Sequence, residues 1–224
     1  MTNIQIRKYR DADAEVVKEI FTLGMSEHVP SSFTHILKQP PTQMFLMCVF
    51  CGLMASSKSF LLPVLAVTFV LAGIRQLVVH MFNKYIDTSL KKDLNNISGT
   101  YLQAQDSCFW VAENDGGRVV GTVACLPAEG APGCLELKRM SVSRSYRGMG
   151  IAKSLCRTVA EFTRDRGYAA VVLYTSVVQT DAQKLYEHMG YEKTREFLAP
   201  EPAAKITNFK LWEYRLDVQG KKKD

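Results

Sequence analysis

One short segment is the most informative part of this chain, and it reads Ser145-Tyr146-Arg147-Gly148-Met149-Gly150-Ile151-Ala152. It is a basic turn punctuated by glycine, and it lies between an apolar, extended run at 135–142 and a run with apolar residues at helical spacing. Glycines at such a junction let the backbone approach a ligand, and the amides of the first helical turn point at one spot. The turn is therefore predicted to bind a pyrophosphate, although it matches neither the Walker nor the dinucleotide-binding pattern.

Arg147, Gly150 and Ala152 have the spacing R/Q-x-x-G-x-G/A, and with it this region resembles the acetyl-CoA loop of the GNAT N-acetyltransferases. A flexible loop between a strand and a helix, without a ligand, is the alternative interpretation of so short a pattern. A second motif follows downstream, because residues 185–191, LYEHMGY, resemble the second GNAT motif. Two motifs in the right order and at the right distance make the resemblance strong.

The resemblance implies an α/β fold in which a mixed, splayed central sheet is flanked by helices. Alternating or continuously apolar runs predict its strands at 4–10, 108–113, 119–125, 135–142, 168–178, 191–197 and 210–218. Apolar residues at helical spacing predict a helix at 14–25 and another directly after the glycine turn. A further helix is predicted to begin with a capping box, Thr180-x-x-Gln183, and to end at Gly190.

The fourth predicted strand changes phase part-way along. Leu135 and Leu137 alternate with polar residues, but the apolar positions then shift to Met140 and Val142. Such a shift predicts a β-bulge at 138–139, because one extra residue moves the following side chains to the other face. In GNAT folds two central strands separate at this place and open a slot for the pantetheine arm of the cofactor.

Acetyl transfer to an amine needs a bound thioester, an uncharged amine, a stabilised oxyanion and a proton for the leaving thiolate. The predicted cofactor-binding residues are Met140, Val142, Arg147, Gly148, Met149, Gly150, Ile151 and Ala152. Backbone amides of the turn are expected to hold the pyrophosphate, and an amide near Val142 to polarise the thioester carbonyl. The expected cosubstrate is acetyl-CoA, and no metal site is expected.

Two residues are expected to move the protons. Tyr186 matches the tyrosine that faces the CoA sulfur in this family, and its phenol is expected to protonate the thiolate. Glu136 interrupts an apolar strand and is the best candidate for the base, acting on the amine directly or through a water molecule. Each has a simpler alternative: an aromatic on a core face for Tyr186, and a solvent-facing strand carboxylate for Glu136. The histidines are weaker candidates by position, at His28, His35, His80 and His188.

A long apolar stretch interrupts the domain. Residues 44–82 are almost continuously apolar, broken only by Lys58 and Arg75. A buried core hairpin is the soluble alternative, but a stretch this long and apolar predicts entry into a bilayer. Both flanks belong to the same sheet in a GNAT fold, so the stretch must return to the side where it began. Two helices of ~29 Å each match a ~30 Å hydrocarbon core, which favours a transmembrane helical hairpin over a re-entrant one.

The domain division follows from this insertion. Residues 1–43 supply the first strand and helix, 44–82 the membrane hairpin, 83–218 the rest of the catalytic domain and 219–224 a basic tail. The tail ends in Lys-Lys-Lys-Asp, which resembles the dilysine retrieval signal of endoplasmic reticulum membrane proteins; a solvated basic tail is the alternative. Lysines just after the hairpin favour a catalytic domain that faces the cytosol.

The net charge is +6, from 28 Lys and Arg against 22 Asp and Glu. No stripe of basic residues alternates with aromatics, so nucleic acid is not an expected partner, and a membrane surface or an anionic cofactor explains the charge better. The six cysteines show no disulfide framework, and Cys48-x-x-Cys51 is interpreted as apolar filler rather than a metal or redox site. Reduced cysteines again favour a domain on the cytosolic side.

The hairpin after the first helix, together with the strand Leu-Glu-Leu-x-x-Met-Ser-Val at 135–142, resembles the camello-type N-acetyltransferases. That family includes cysteine S-conjugate, aspartate and reticulum lysine acetyltransferases. An S-conjugate carries a lipophilic group that concentrates near a bilayer, and no extra cation cluster suits the second carboxylate of aspartate. The expected activity is therefore acetylation of the α-amine of a cysteine S-conjugate, with that small-molecule amine and membrane lipid as partners. The alternatives are protein lysines in the endoplasmic reticulum and a non-catalytic membrane adaptor of the same fold.

Overall fold

A mixed sheet of seven strands forms the centre of this computed structural model, which describes residues 3–57, 59–200 and 204–219. The strands are β1 (Ile4–Lys8), β2 (Cys108–Asn114), β3 (Val119–Pro127), β4 (Cys134–Val142), β5 (Ala170–Ser176), β6 (Glu192–Leu198) and β7 (Lys210–Asp217). They lie in the order β1-β2-β3-β4-β5-β7-β6. Strands β4 and β5 run parallel, and every other neighbouring pair is antiparallel. Each strand begins and ends within two residues of the sequence-based prediction.

Helices cover both faces of the sheet. They are α1 (Ala14–Ser26), α2 (Val29–Leu37), α3 (Pro40–Ser56), α4 (Leu61–Lys91), α5 (Ile151–Asp165), α6 (Thr180–His188) and α7 (Ala204–Thr207). On one face, Leu155 of α5 packs in the same core as Leu135 and Leu137 of β4. On the other face, Phe21 of α1 and Ile86 near the end of α4 share a second core with β2 and β3. Burial of each such large apolar side chain stabilises the fold by ~1.5–3 kcal/mol, so the two cores fix the sheet between the helical layers.

The predicted bulge in β4 is confirmed. The register between β3 and β4 shifts between Thr122 and Ala124, and Arg139 has a φ of 55° in the left-handed region. Pairing between β4 and β5 is short, and it ends at Leu137 opposite Leu173. Beyond that pair the two parallel strands are no longer paired, so the sheet has the opening between its central strands that the resemblance to GNAT folds implies.

The apolar insertion forms two helices, α3 and α4, that pack on each other. Helix α3 begins at Pro40, earlier than the predicted boundary at 44, because proline suits the first turn of a helix, where an N–H has no partner to lose. Helix α4 continues past 82 to Lys91, since its last turns bury Ile86 and Ser89 in the catalytic domain. Within the described ranges, α4 is the one helix long and apolar enough to cross a membrane, and α3 is apolar but shorter. Lys58, and the tail from 220 to 224, lie outside the described residues.

The predicted capping box at the start of α6 is wrong. Gln179, not Thr180, is the residue that precedes the helix, and its side chain turns back to the end of β5. Gln183 donates its Nε2 hydrogen bond to the carbonyl of Ser176 at 2.8 Å instead of capping Thr180. Both glutamines therefore join the helix start to the strand before it, a contact that a local capping pattern does not contain.

Candidate active site

The glycine turn begins helix α5, and its backbone requires glycine at two positions. Gly148 and Gly150 both have a φ of 80°, a left-handed conformation that costs a residue with a Cβ ~1–2 kcal/mol. Gly150 directly precedes α5, and no atom lies within 4 Å of the position that its Cβ would occupy. The space in front of the helix start is therefore open, as binding of an anion by the first amides of a helix requires.

A cleft of about 280 Å³ lies against this turn. Six of the eight predicted cofactor residues line it, and they are Val142, Arg147, Gly148, Gly150, Ile151 and Ala152. Lys153 adds a cation that the sequence pattern did not single out, and Leu185 of α6 closes one wall. Met140 instead packs against the core under α5, and Met149 is exposed. The structure thus brings most of the predicted set to one place, where its role in binding acetyl-CoA stays a prediction.

Arg147 is tied to two elements beside the cleft. Its Nε donates to the carbonyl oxygen of Val142 at 3.0 Å, which holds the turn against the end of β4. Its Nη1 donates to Oε2 of Glu27 at 2.6 Å, directly after the end of α1. Both side chains are partly exposed, at 46% and 33%, so the guanidinium is accessible to a bound phosphate as well.

Glu136 lies on the face of the sheet opposite to α5. Its neighbours Leu135 and Leu137 point into the α5 core, so the intervening carboxylate points to the face that carries α1 and α4. Glu136 pairs with Leu126 on β3 and Val172 on β5, just before the two central strands separate. Its carboxylate is 16% exposed and lies 3.3 Å from Nζ of Lys138. The side chain is therefore partly covered, more than the solvent-facing alternative expects, and its role as the base stays a prediction.

Tyr186 lies on the other face, in the core under α5. Its ring is 6% exposed and packs against Tyr191 and Tyr214, with ring centroids 5.6 and 6.1 Å away. Burial raises the pKa of the Tyr186 phenol well above its ordinary value. A phenol is protonated at neutral pH even at its ordinary pKa of about 10, and a raised pKa makes it a weaker proton donor. Tyr186 is not among the residues that line the cleft, so its role as the acid stays a prediction. The preceding residue, Leu185, lines the cleft at the glycine turn.

Comparison with known families gives this arrangement its context. Residues 73–191, more than half of the chain, match the Acetyltransferase (GNAT) family. This chain belongs to the GNAT family. It is an acetyl-CoA-dependent N-acetyltransferase, and the mixed sheet with its two separated central strands is the GNAT fold.

Relatives of this GNAT enzyme match nearly the whole chain. It is 45% identical over 197 residues to N-acetyltransferase 8F1 of Rattus norvegicus, with 87% of this chain and 88% of that protein covered. It is 34% identical over 220 residues to the probable N-acetyltransferase camello of Xenopus tropicalis, with 98% of this chain and 100% of that protein covered. The resemblance to the camello-type N-acetyltransferases is thereby confirmed.

Solved structures share the GNAT fold at low sequence identity. A GCN5-related N-acetyltransferase from Kribbella flavida has a TM-score of 0.57 at 14% identity, with 96% of this chain and 97% of that chain covered. A GNAT-family acetyltransferase from Staphylococcus aureus has a TM-score of 0.56 at 19% identity, with 97% and 100% covered. At such identities the likeness concerns the fold, and the roles of individual residues must come from the site itself.

The GNAT site has its two proton-transfer candidates on opposite faces of the sheet. Tyr186 lies on the α5 face, where the cleft and the glycine turn are, and Glu136 lies on the α1 and α4 face. A thioester held by the turn can reach the opening between β4 and β5 from one face, and an amine can approach from the other. In such an arrangement the amine would lose its proton on one face and the thiolate would gain one on the other, which suits direct transfer.

His28, a weaker candidate by its position in the sequence, is brought by the fold into contact with Gln179 at the start of α6. Gln179 accepts hydrogen bonds through Oε1 from the Ser176 amide at 2.9 Å and from the Thr175 hydroxyl at 3.0 Å. Its amide nitrogen is therefore directed at Nε2 of His28, 3.3 Å away, and this assigns the ring nitrogen as an acceptor. Burial lowers the pKa of His28. No local pattern marks this contact, because His28 and Gln179 are brought together by tertiary packing alone.

The cysteines of the GNAT domain are structural. Cys108, Cys125, Cys134 and Cys156 are buried, and burial raises the pKa of the Cys156 thiol to about 12. A buried thiol with a raised pKa is unreactive at neutral pH. Within the part of the chain that the structure describes, no cluster of three or more His, Cys, Asp or Glu side chains is arranged to hold a metal ion.

Proposed function

We propose that this enzyme transfers the acetyl group of acetyl-CoA to the α-amine of a cysteine S-conjugate at the surface of the endoplasmic reticulum membrane. Backbone amides of the turn at 147–152 hold the pyrophosphate, and an amide near Val142 polarises the thioester carbonyl. Glu136 accepts the proton of the amine and Tyr186 donates one to the thiolate. The observation that carries the proposal is the position of these two groups on opposite faces of the opening between β4 and β5.

An aromatic surface beside Glu136 supports an acceptor with a lipophilic group. Tyr174 lies two residues beyond Val172, the strand partner of Glu136, and therefore on the same face. Its ring is 37% exposed and lies 6.0 Å from the ring of Phe197. Burial raises the pKa of Tyr174, and the nearby carboxylates of Glu213 and Glu136 raise it further. A cationic amine therefore meets carboxylates here, while an apolar sulfur substituent has aromatic rings to contact.

The apolar hairpin supports a membrane anchor. Many of the large exposed apolar side chains of the described residues lie on α3, on α4 up to Leu77 and on the residue just before α4. They include Met44, Phe45, Met47, Phe60, Leu61 and Phe69. Burial in the catalytic domain begins at Val78, which is 3% exposed. An exposed apolar surface of this extent is unstable in water and suits a lipid environment.

The length of the hairpin supports a double crossing. Helix α3 and the exposed part of α4, 61–77, are each ~25 Å long at ~1.5 Å per residue, close to the ~27 Å hydrocarbon core of the reticulum membrane. Polar Ser57 and Ser59 flank Lys58 at the tip, and such a tip is more stable at the far interface than inside one leaflet. Both flanks of the hairpin then lie on the same side of the membrane, which we assign to the cytosol.

A panel of acceptors tests the activity. Purified full-length protein in detergent, and microsomes that contain it, are incubated with acetyl-CoA and S-benzylcysteine, aspartate or a lysine peptide. We expect the fastest acetylation with S-benzylcysteine. Preference for the lysine peptide would replace the acceptor with protein lysines. Binding of acetyl-CoA without transfer to any amine would favour the non-catalytic adaptor.

Cysteine labelling tests the anchor. Ser59→Cys is placed at the hairpin tip and Gly116→Cys in the exposed turn between β2 and β3 as a control, in a background without Cys48 and Cys51. In intact microsomes an impermeant maleimide should label Gly116→Cys at once and Ser59→Cys only after permeabilisation. Labelling of both from outside would show a tip that does not cross. Labelling of Ser59→Cys alone would place the catalytic domain in the lumen with a crossing hairpin, and labelling of neither would place both the domain and a non-crossing tip in the lumen.

A further inference from the structure

The bulge in β4 marks the start of the opening between β4 and β5. Pairing with β5 ends at Leu137, and Arg139 then adopts a φ of 55°, which a residue with a side chain rarely does. Beyond the bulge, Ser141 and Val142 still pair with β3. One edge of this segment therefore stays in the sheet while the other faces the opening. The conformation of Arg139 thus sets where the backbone of 140–142 lies relative to the cofactor cleft.

A mostly buried cluster holds Arg139 in this conformation. Its guanidinium donates from Nε and Nη2 to the two carboxylate oxygens of Asp93, at 2.8 and 2.5 Å, and from Nη1 to the Ser89 hydroxyl at 3.1 Å. The Tyr101 hydroxyl donates to Asp93 at 2.5 Å, and the Thr122 hydroxyl donates to the Arg139 carbonyl at 2.8 Å. The Arg139 and Asp93 side chains are only 10% and 19% exposed. A bidentate pair with so little hydration fixes a geometry much better than an exposed pair does.

The cluster joins the bulge to the base of the long helix. Ser89 lies in the last turn of α4, and Asp93 follows directly after its end. The ring of Phe21 from α1 lies against the guanidinium, with 4.8 Å between Cζ and the ring centroid. Helices α1 and α4, which cover the face of the sheet that carries Glu136 (the acceptor face), therefore meet at the side chain of Arg139.

We propose that Arg139 is a positioning residue for acetyl transfer. Held by Asp93, it keeps the bulge in place and aligns the backbone of 140–142, so that an amide near Val142 meets the thioester carbonyl. It acts through this backbone and does not itself contact the substrate. The pyrophosphate is held by a different segment, the turn at 147–152. Loss of the cluster should therefore lower the rate of transfer much more than the affinity for acetyl-CoA.

The test compares two buried ion pairs of the full-length protein. Asp93→Asn removes the carboxylate from Arg139. Asp13→Asn is the control, because Asp13 forms a similar bidentate pair with Arg7 on β1, three strands away from β4, at 2.7 and 2.9 Å; Arg7 keeps a second carboxylate partner, Glu113, in this variant. For each variant in detergent we measure the melting temperature, the Kd of acetyl-CoA by calorimetry, and kcat at saturating acetyl-CoA and S-benzylcysteine.

We expect Asp93→Asn to lower kcat by ~10²-fold, since a displacement of reacting groups by about 1 Å has that effect. The Kd of acetyl-CoA should change little, and Asp13→Asn should lose stability without losing kcat. An unchanged kcat per folded molecule in Asp93→Asn would reduce the cluster to a structural role and overturn the proposal. So would an equal loss of kcat in the control, or a loss of acetyl-CoA affinity as large as the loss of rate.

A milder variant keeps the test decisive if Asp93→Asn does not fold, because a buried arginine without its carboxylate is strongly destabilising. Tyr101→Phe removes one hydrogen bond from Asp93 and leaves the ion pair. It should also lower kcat, by a smaller factor, and an unchanged kcat would then overturn the proposal.

The rate measurement rests on the proposed function. A wild type inactive with S-benzylcysteine would contradict that function and not this inference, for which any other acceptor found in the panel serves equally, whereas a wild type inactive with every acceptor would contradict both.

Discussion

Arg147 Nη1 and Glu27 Oε2 lie 2.6 Å apart and form an ion pair between the glycine turn and the end of α1. The same guanidinium donates from Nε to the Val142 carbonyl at 3.0 Å. Arg147 thus connects the proposed pyrophosphate site with the strand that borders the opening and with a helix on the acceptor face. At this distance the Glu27 carboxylate also offsets the positive charge of Arg147, which would otherwise attract a bound pyrophosphate.

Glu27→Gln should strengthen the binding of acetyl-CoA. Both partners are partly exposed, and such a pair contributes at most about 1 kcal/mol, which corresponds to a decrease in Kd on the order of fivefold or less. The gain should shrink at high salt, because screening weakens the attraction between exposed charges. Calorimetric titration at low and high ionic strength measures both effects. Weaker binding in this variant would mean that Glu27 orients Arg147 rather than competing for it.

Gly150→Asp should abolish the binding of acetyl-CoA. The left-handed conformation of Gly150 disfavours any side chain, and the added carboxylate would repel the pyrophosphate at the start of α5. Gly150→Asn is the matched control, because asparagine tolerates this conformation and carries no charge. We expect Gly150→Asn to retain much of the affinity in the same titration. Near-normal affinity in Gly150→Asp would mean that the loop is misassigned.

Local patterns were sufficient for the strands, the glycine turn and the bulge. Each depends on residues within a few positions of one another: the φ values of Gly148 and Gly150 follow from their place in a tight turn, and the phase shift after Leu137 directly reports the extra residue. The opening between β4 and β5 was expected from the resemblance to GNAT folds and not from the shift itself. The part of the candidate site that lies on one strand and the following turn was therefore predictable.

Contacts between distant segments were not predictable in this way. Arg139 and Asp93 are 46 positions apart, and His28 and Gln179 are 151 positions apart. Their pairing depends on how α1 and α4 pack on the sheet, which no periodicity encodes. The continuation of α4 beyond the apolar stretch was not predicted for a related reason, since a polar residue such as Lys84 is compatible with a helix whose other side packs in a core.

Acidification should destabilise the protein through His28. Burial lowers the pKa of His28 below its ordinary value of 6.5; the charges of Glu27 and Asp181 oppose this shift, and that of Arg147 adds to it. The unfolded chain then binds more protons than the folded one as the pH falls below about 6.5, so the free energy of unfolding decreases there. The loss develops between 6.5 and the lowered pKa.

His28→Asn should flatten this part of the curve of melting temperature against pH, since asparagine cannot take up the proton. His188→Asn is the control, because His188 lies exposed on α6. An equal change in both variants, or no change in His28→Asn, would contradict the assignment. Carboxylates that titrate at lower pH contribute equally to all three proteins and do not affect the comparison.

Glu136→Gln should lower kcat/KM most at neutral pH and less at high pH. At neutral pH the acceptor amine is mainly charged and needs a base, whereas at high pH more of it is already uncharged. Glu213→Gln is the comparison, because Glu213 lies opposite Tyr174 on the same face and is similarly covered, at 15% exposure. A deficit of the same size at every pH would withdraw the role of Glu136. The pH-dependent loss in Glu213→Gln instead would transfer that role to Glu213.

Tyr186→Phe should lower kcat by ~10²–10⁴-fold, the usual effect of losing a positioned general acid. The ring and its packing against Tyr191 and Tyr214 remain, so the melting temperature and the Kd of acetyl-CoA should change little. Tyr191→Phe is the matched control, because the Tyr191 hydroxyl is buried without a hydrogen-bond partner among the described residues. Removing an unpaired buried hydroxyl is neutral or stabilising, and we expect kcat to persist. An intact kcat in Tyr186→Phe would withdraw its role, and a loss in Tyr191→Phe alone would identify the neighbouring phenol as the proton donor.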